Sequence, residues 1–348
     1  MFRKLGVACL FVLAACSIVR AGALLPDDPY FPYSWHTITI GLPDAWGYST
    51  GSSGVIVAIL DTGVIASEPD LAGRVLPALN VTGSGPTDPT RYRHGTWVAS
   101  SLAMQINNGI GGTGVGNFSI LPINVTAGEA TTPEWIAAGI RAAADHGAKV
   151  INISLHALTY WQIDNAAAYA RSKGALTFIA AGNDNQRDPM DAYDNLIFVA
   201  GTDRNDQRWV SSTNSSIGST YGPYVDLSAP AESIVVADSI DTRLPDGYGV
   251  ISGTSFAAPL AAGAAALAWS IAPNLTPDQV QAILFDTALK YADLGDPGWD
   301  EQFGWGRINV AAVAAAAGAT VPEPAALLYL APAAFALLRR PRDSAKKT

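Results

Sequence analysis

Val55-Ile56-Val57-Ala58-Ile59-Leu60, closed by Asp61-Thr62-Gly63, is the stretch on which the fold turns. Six apolar residues run without a polar alternation, and four of them are β-branched. A run this short is a strand, and one without alternation is buried on both faces, as in a parallel sheet. Such sheets carry their sites past the carboxyl ends of the strands, which is where Asp61 falls. Working outward, Ile120 to Val125, Val150 to Ile153, Thr177 to Ala180 and Leu196 to Ala200 repeat the pattern. Helical stretches lie between them. Glu134 to His146 is Ala-rich and opens after Thr132-Pro133, a cap followed by a first-turn proline. Ile163 to Ser172 is another. Alternating strands and helices predict an α/β fold with a mostly parallel central sheet covered on both faces.

The later chain is helical. Phe256 to Trp269 is nearly uncharged and Ala-rich, and its length and Pro259 argue for a buried central helix over a membrane span. Thr276-Pro277 opens a helix to about Ala288, and Gly304-Trp305-Gly306 turns through Ile308-Asn309-Val310 into a last run of alanines. No internal repeat or linker interrupts residues 40–315, so one catalytic domain over 22–320 is expected, flanked by distinct ends at 1–21 and 321–348.

Chemistry gathers at four short segments: Asp61-Thr62-Gly63, His94-Gly95-Thr96, Ala181-Gly182-Asn183 and Gly253-Thr254-Ser255. They supply an acid, a base, an amide donor and a hydroxyl. A serine hydroxyl is a poor nucleophile at neutral pH and needs a base that is itself oriented. Ser255, at a helix start where backbone N–H groups are unpaired, is the expected nucleophile. His94 is the expected base, Asp61 its orienting group and Asn183 the oxyanion donor. Taken alone, Asp61-Thr62-Gly63 would also suit an aspartic protease, but that class needs a second such acid and none occurs. Ester hydrolases usually set serine in Gly-x-Ser-x-Gly, and Ser255 lacks the trailing glycine.

Gly253-Thr254-Ser255-Phe256-Ala257-Ala258-Pro259, His94-Gly95-Thr96 with Val98-Ala99, Asp61-Thr62-Gly63-Val64 and Ala180-Ala181-Gly182-Asn183 together resemble the subtilisin-like serine proteases, the subtilases, in a thermitase-like form. The resemblance runs from about Asp28 to Ala315. It implies a three-layer subtilisin-like fold and a serine endopeptidase that cleaves peptide bonds through an acyl-enzyme. Protein or peptide substrates would lie against Ile153-Ser154-Leu155 on one side and Ala180-Ala181-Gly182 on the other, with Ser154, Leu155, Ala181 and Gly182 as the named contacts and room for a sizeable apolar side chain. His156 stands where the family has glycine, which either narrows the cleft and favours acidic residues or leaves a peripheral imidazole. A structural calcium is implied on Asp28, Asp70, Asn108 and the carbonyl of Ile110; the loop Asn107 to Gly112 otherwise reads as a plain glycine-rich turn. Trp97 and Ser100 depart from the family's usual histidine and glycine. Leu25 to Tyr30 resembles the start of a mature enzyme, so folding is expected without a prosegment or with a partner's help. A catalytically inactive subtilase-fold surface or binding protein is the alternative function.

The ends read as addresses. Arg3-Lys4, the apolar run Leu5 to Leu13 and small Val19 and Ala21 form a signal peptide over 1–21 for signal peptidase. Leu13-Ala14-Ala15-Cys16 also resembles a lipoprotein signal, and a retained anchor is the third reading. Val321-Pro322-Glu323-Pro324, apolar Ala325 to Leu338 and Arg339, Arg340 and Arg342 resemble a PEP-CTERM sorting signal, which implies an exosortase-type processing enzyme; an attached tail helix is the other reading. Export in a Gram-negative bacterium, to the envelope or the medium, follows from that resemblance. Residues 22–321 carry 13 basic and 28 acidic side chains, a net of −15. That excludes nucleic acid as a partner, which demands a basic surface. Both cysteines, Cys9 and Cys16, lie in the first 21 residues, so no disulfide supports the domain. A monomer is expected.

Overall fold

The computed structural model describes residues 22–155, 161–237, 244–290 and 298–321. His156, the signal region and the tail from Pro322 onward lie outside these residues. In chain order the helices are α1 (Trp35–Thr39), α2 (Leu42–Trp46), α3 (His94–Ala103), α4 (Pro133–Asp145), α5 (Trp161–Ser172), α6 (Thr254–Ile271), α7 (Pro277–Thr287) and α8 (Val310–Thr320). The strands are β1 (Ile56–Asp61), β2 (Leu79–Asn80), β3 (Ser119–Asn124), β4 (Thr126–Ala127), β5 (Ala130–Thr131), β6 (Val150–Ile153), β7 (Leu176–Ala180), β8 (Leu196–Thr202), β9 (Val225–Pro230), β10 (Ile234–Ala237) and β11 (Tyr248–Ile251).

Seven strands form one sheet in the order β2-β3-β1-β6-β7-β8-β9, with every pairing parallel. β4–β5 and β10–β11 are small antiparallel ribbons. The apolar runs lack alternation because both faces are covered. Along β1, Val57 and Ile59 enter one core while Ala58 and Leu60 enter the other. β8 divides likewise, with Ile197 and Val199 against Leu196, Phe198 and Ala200. The first core is filled by α6 with α2, α3, α7 and α8, and the second by α4 and α5. These are the three layers of the expected α/β fold.

β1 is the strand at which the order reverses, with β3 on one side and β6 on the other. Its carboxyl end is therefore the topological switch point, where a crevice opens. Asp61 sits there, in register with Asn124.

α6 is long and apolar enough to cross a membrane, yet 83% of it is buried within the fold, so it is the central core helix. It begins two residues earlier than its apolar run predicts. The reason is a cap from elsewhere: the Asn183 Oδ1 accepts the Thr254 N–H at 2.9 Å. Three other helix starts are capped by their own neighbouring side chains. Thr132 caps α4, Thr276 and Gln279 form a capping box on α7, and Asn309 caps α8.

Candidate active site

The site is assembled at the carboxyl ends of β1, β6 and β7 and the first turns of α3 and α6. Asp61 ends β1 with no exposure, its Oδ1 accepting the Thr62 N–H at 2.7 Å. His94 begins α3, and its Nδ1 lies 2.9 Å from both Asp61 oxygens. The approach of α3 to β1 requires Gly95. A Cβ there would fall 2.2 Å from the Gly63 carbonyl oxygen. The Thr62 hydroxyl tightens the same junction by accepting the Gly95 N–H and donating to the Tyr92 carbonyl. Burial pulls the His94 pKa down, but the Asp61 charge and hydrogen bond outweigh it and leave it above the ordinary value. An imidazole so held donates its Nδ1–H to the Asp61 carboxylate and leaves Nε2 free to act as a base.

Ser255 lies in the first turn of α6, nearly buried. Its hydroxyl donates to the Ser154 carbonyl at 3.1 Å, and among the described residues no hydrogen bond joins it to His94. The expected base–nucleophile pair is thus set apart at rest. A rotation about one side-chain bond re-aims the hydroxyl, and such bonds commonly tighten only when substrate is bound.

Pro259 explains the role of Ser154. Proline has no N–H, so the carbonyl four residues earlier, that of Ser255, loses its helical donor. The Ser154 hydroxyl donates to that carbonyl at 2.7 Å and accepts from the Asn152 Nδ2 at 2.9 Å. A polar chain thus runs from the fully buried Asn152 of β6 to the nucleophile's own backbone. Ser154 is therefore more than a cleft wall, and proline four residues after the serine was the signal for it.

Asn183 follows β7. Its Oδ1 is taken by Thr254, which donates both its N–H and its hydroxyl at 2.9 Å. With the oxygen committed, the Nδ2 is left to face the cleft. Thr254 was not singled out by sequence; residue type alone does not say which remote oxygen a helix start will meet. Ser154, Leu155, Ala180, Gly182, Asn183, Asp184, Thr254 and Ser255 enclose a cleft of about 280 Å³. Ser154, Leu155 and Gly182 thus line it as expected. Of the expected Ala180-Ala181-Gly182 wall, Ala180 and Gly182 line the cleft, while the Ala181 side chain is buried in the second core. Side chains alternate faces along β7, and Ala181, the residue just after it, continues that alternation onto the far face.

This arrangement offers a buried acid, an oriented imidazole, a hydroxyl at a helix start and a directed amide. A subtilase family model matches residues 52–306. The chain belongs to the subtilase family. It is a serine endopeptidase, in keeping with its relatives. Thermitase of Thermoactinomyces vulgaris is 37% identical over 280 residues, covering 78% of this chain and 94% of that protein. A halolysin-like extracellular serine protease of Natrialba magadii is 31% identical over 297 residues, covering 82% of this chain and 52% of that one. A solved protease of Pseudoalteromonas arctica superposes with a TM-score of 0.70 at 31% identity, covering 84% and 99%.

The residues named for calcium form a second cluster in this subtilase. Asp28 and Asp70 are buried, and the Asn108 Nδ2 donates to the Asp70 Oδ1 at 3.0 Å. Asp28 accepts the backbone N–H groups of Asn107, Asn108 and Gly109. Asp70 also accepts the Gly112 N–H. Ile110 donates its N–H to the Asn108 Oδ1. Among the described residues no group of three or more histidine, cysteine or acidic side chains is arranged around one point. The chemistry nevertheless suits a hard cation, with two carboxylates and neutral oxygens close together. Burial raises both pKa values, that of Asp70 to about 6, and the Asp28 charge raises Asp70 further.

Proposed function

We propose that Ser255 is the acylated residue of this protease and that the cleft beside it holds the scissile peptide. Ser255 Oγ attacks the carbonyl carbon while His94 Nε2 takes its proton. The leaving amine then receives that proton, and water repeats the sequence on the acyl-enzyme. Asp61 keeps the imidazole in its tautomer and offsets the charge it acquires. The Asn183 Nδ2 and the Ser255 N–H, which has no acceptor in the first helical turn, receive the oxyanion. The observation that carries this reading is the pair of hydrogen bonds that Thr254 donates to the Asn183 Oδ1, since they leave the amide's donor end for the cleft.

Calcium would be held by Asp28, Asp70, Asn108 and the Ile110 carbonyl. It would neutralise two crowded carboxylates and tie the N-terminal segment to the loop; it takes no part in the reaction.

Export of the domain is favoured by the signal-like start, by the acidic composition and by relatives named as extracellular. The Pro322-Glu323-Pro324 tail supports processing at the C-terminal end, by an exosortase-type enzyme, in a Gram-negative envelope. One experiment tests activity and fate together. The protein recovered from its producing cell is treated with a fluorophosphonate and weighed intact, and its casein cleavage is measured. A single adduct on Ser255, lost with cleavage in Ser255→Ala, is expected on a chain trimmed at both ends. An adduct elsewhere, or casein cleavage by the alanine variant, overturns the assignment. A full-length chain as the sole stable species overturns the processing.

A further inference from the structure

We propose that Asn152, on β6, is a positioning residue for the reaction, acting through the Ser154 hydroxyl on the backbone of Ser255. The inference rests on the acylation of Ser255 proposed above and adds how that residue is aimed. Asn152 carries a cost. It is fully buried, and among the described residues its Oδ1 has no hydrogen-bond partner. A buried carbonyl without a donor is destabilising, and an apolar side chain of similar size would remove the penalty. Against this, the carboxamide supplies one bond, from its Nδ2 to the Ser154 Oγ at 2.9 Å.

That bond decides where a proton goes. The Ser154 hydroxyl has one proton to give and lone pairs with which to accept. With Asn152 donating to its oxygen, the proton is left for the Ser255 carbonyl, 2.7 Å away. No helical donor competes, because Pro259 stands inside α6 where that N–H would be. Two pins then bracket the nucleophile. Ahead of it the Asn183 Oδ1 holds the Thr254 N–H, and behind it Ser154 holds the Ser255 carbonyl. The peptide unit that carries the Ser255 N–H, and the Cα that carries its Oγ, lie between the two. The pins share a frame, since Ser154 follows β6, Asn183 follows β7 and the two strands pair in parallel. Asn152 itself does not line the cleft. Loosening its pin therefore leaves the substrate-binding walls in place and spoils the aim of both reacting groups, which lowers kcat more than it raises KM.

Steady-state cleavage of one peptide amide and thermal melting, measured on the parent and four variants, decide the matter. Asn152→Leu should melt within a few degrees of the parent, because the unpaired carbonyl leaves with the amide. It should nevertheless lose about fivefold in kcat, with KM little changed. Ser154→Ala, which strips the carbonyl of its donor, should lose about tenfold or more. Pro259→Ala restores an N–H that can serve the same carbonyl. In that background Ser154→Ala should cost about twofold or less in kcat, whereas a merely structural serine would cost the same in both. A folded Asn152→Leu with parental kcat, or a Ser154→Ala loss equal in the two backgrounds, overturns the proposal while leaving the protease reading intact. If Asn152→Leu does not fold, the Ser154→Ala comparison decides alone. If no peptide is cleaved in a Ser255-dependent way, the acylation reading itself fails and takes this proposal with it.

Discussion

The catalytic cleft and the Asp28–Asp70 loop cluster use the same kinds of side chain, carboxylates and carboxamides, to opposite ends. In the cleft Asp61, His94 and Asn183 are each matched to a partner that aims them. Asp61 meets an imidazole, and the Asn183 oxygen meets Thr254, so the donor end is directed. In the loop cluster two buried carboxylates are met by N–H groups of a turn and by the Asn108 carboxamide, while the nearby Arg74 guanidinium donates to the Asp70 backbone carbonyl and not to its carboxylate. The cleft stores direction, which is useful for rate. The cluster stores like charge, which costs stability until something neutralises it. Perturbing the first should change turnover, and perturbing the second should change melting.

Asn183→Ala gives the larger effect. It removes the proposed oxyanion donor, whose counterpart in subtilisin is worth about 10²–10³ in rate. It also strips the cap from α6, at a cost of about 1 kcal/mol. The expected result is a collapse of kcat on a peptide amide with only a modest loss in Tm. A rate within threefold of the parent would place the oxyanion elsewhere and blur the contrast between the two regions.

The loop cluster should behave in reverse. An ion that binds only the folded state stabilises by mass action, about 2.7 kcal/mol at a hundred times its Kd. Chelation should lower Tm by several degrees, and Asp70→Ala should blunt that response. Equal melting curves in millimolar calcium and in chelator would mean the cluster carries its charge unaided.

How much of this was legible in sequence follows from the same contrast. Asp61, His94 and Ser255 could be picked out because they lie at the end or in the first turn of a regular element, and Asn183 because it follows one closely; parallel sheets put such ends together. The buried strands could be read because two covered faces leave a run with no alternation. What depended on a carbonyl or N–H left over by the fold was not read, as with the Asn183 cap on α6 and the Ser154 bond to the Ser255 carbonyl. Pro259 did announce the second, since a proline at that spacing frees one identifiable oxygen. Within the Ala180-Ala181-Gly182 wall the sequence did not say which methyl faces the cleft, because successive side chains turn to opposite faces. For the loop cluster the residues were named, but not which way the Asn108 carboxamide turns.

The smallest effect separates two histidines along the same line. His94 has a partner, and its pKa is raised; His36, on α1, is fully buried with neither ring nitrogen hydrogen-bonded. Burial, with the Arg204 charge added, pushes the His36 pKa down to about 3. Between that value and the ordinary one near 6.5, the unfolded chain binds a proton that the fold refuses. Stability from this site is therefore complete above pH 6.5 and falls as pH drops toward 3. One unit below the free value, at pH 5.5, the loss is about 1.4 kcal/mol. His36→Phe keeps a ring in the space and removes the titration. Urea midpoints for the two proteins should draw apart in favour of the variant as pH falls from 7 to 4.5. A constant offset across that range would show that His36 accepts its proton within the fold. The rule that unpartnered groups set stability, while partnered ones set rate, would then stop at the acidic residues.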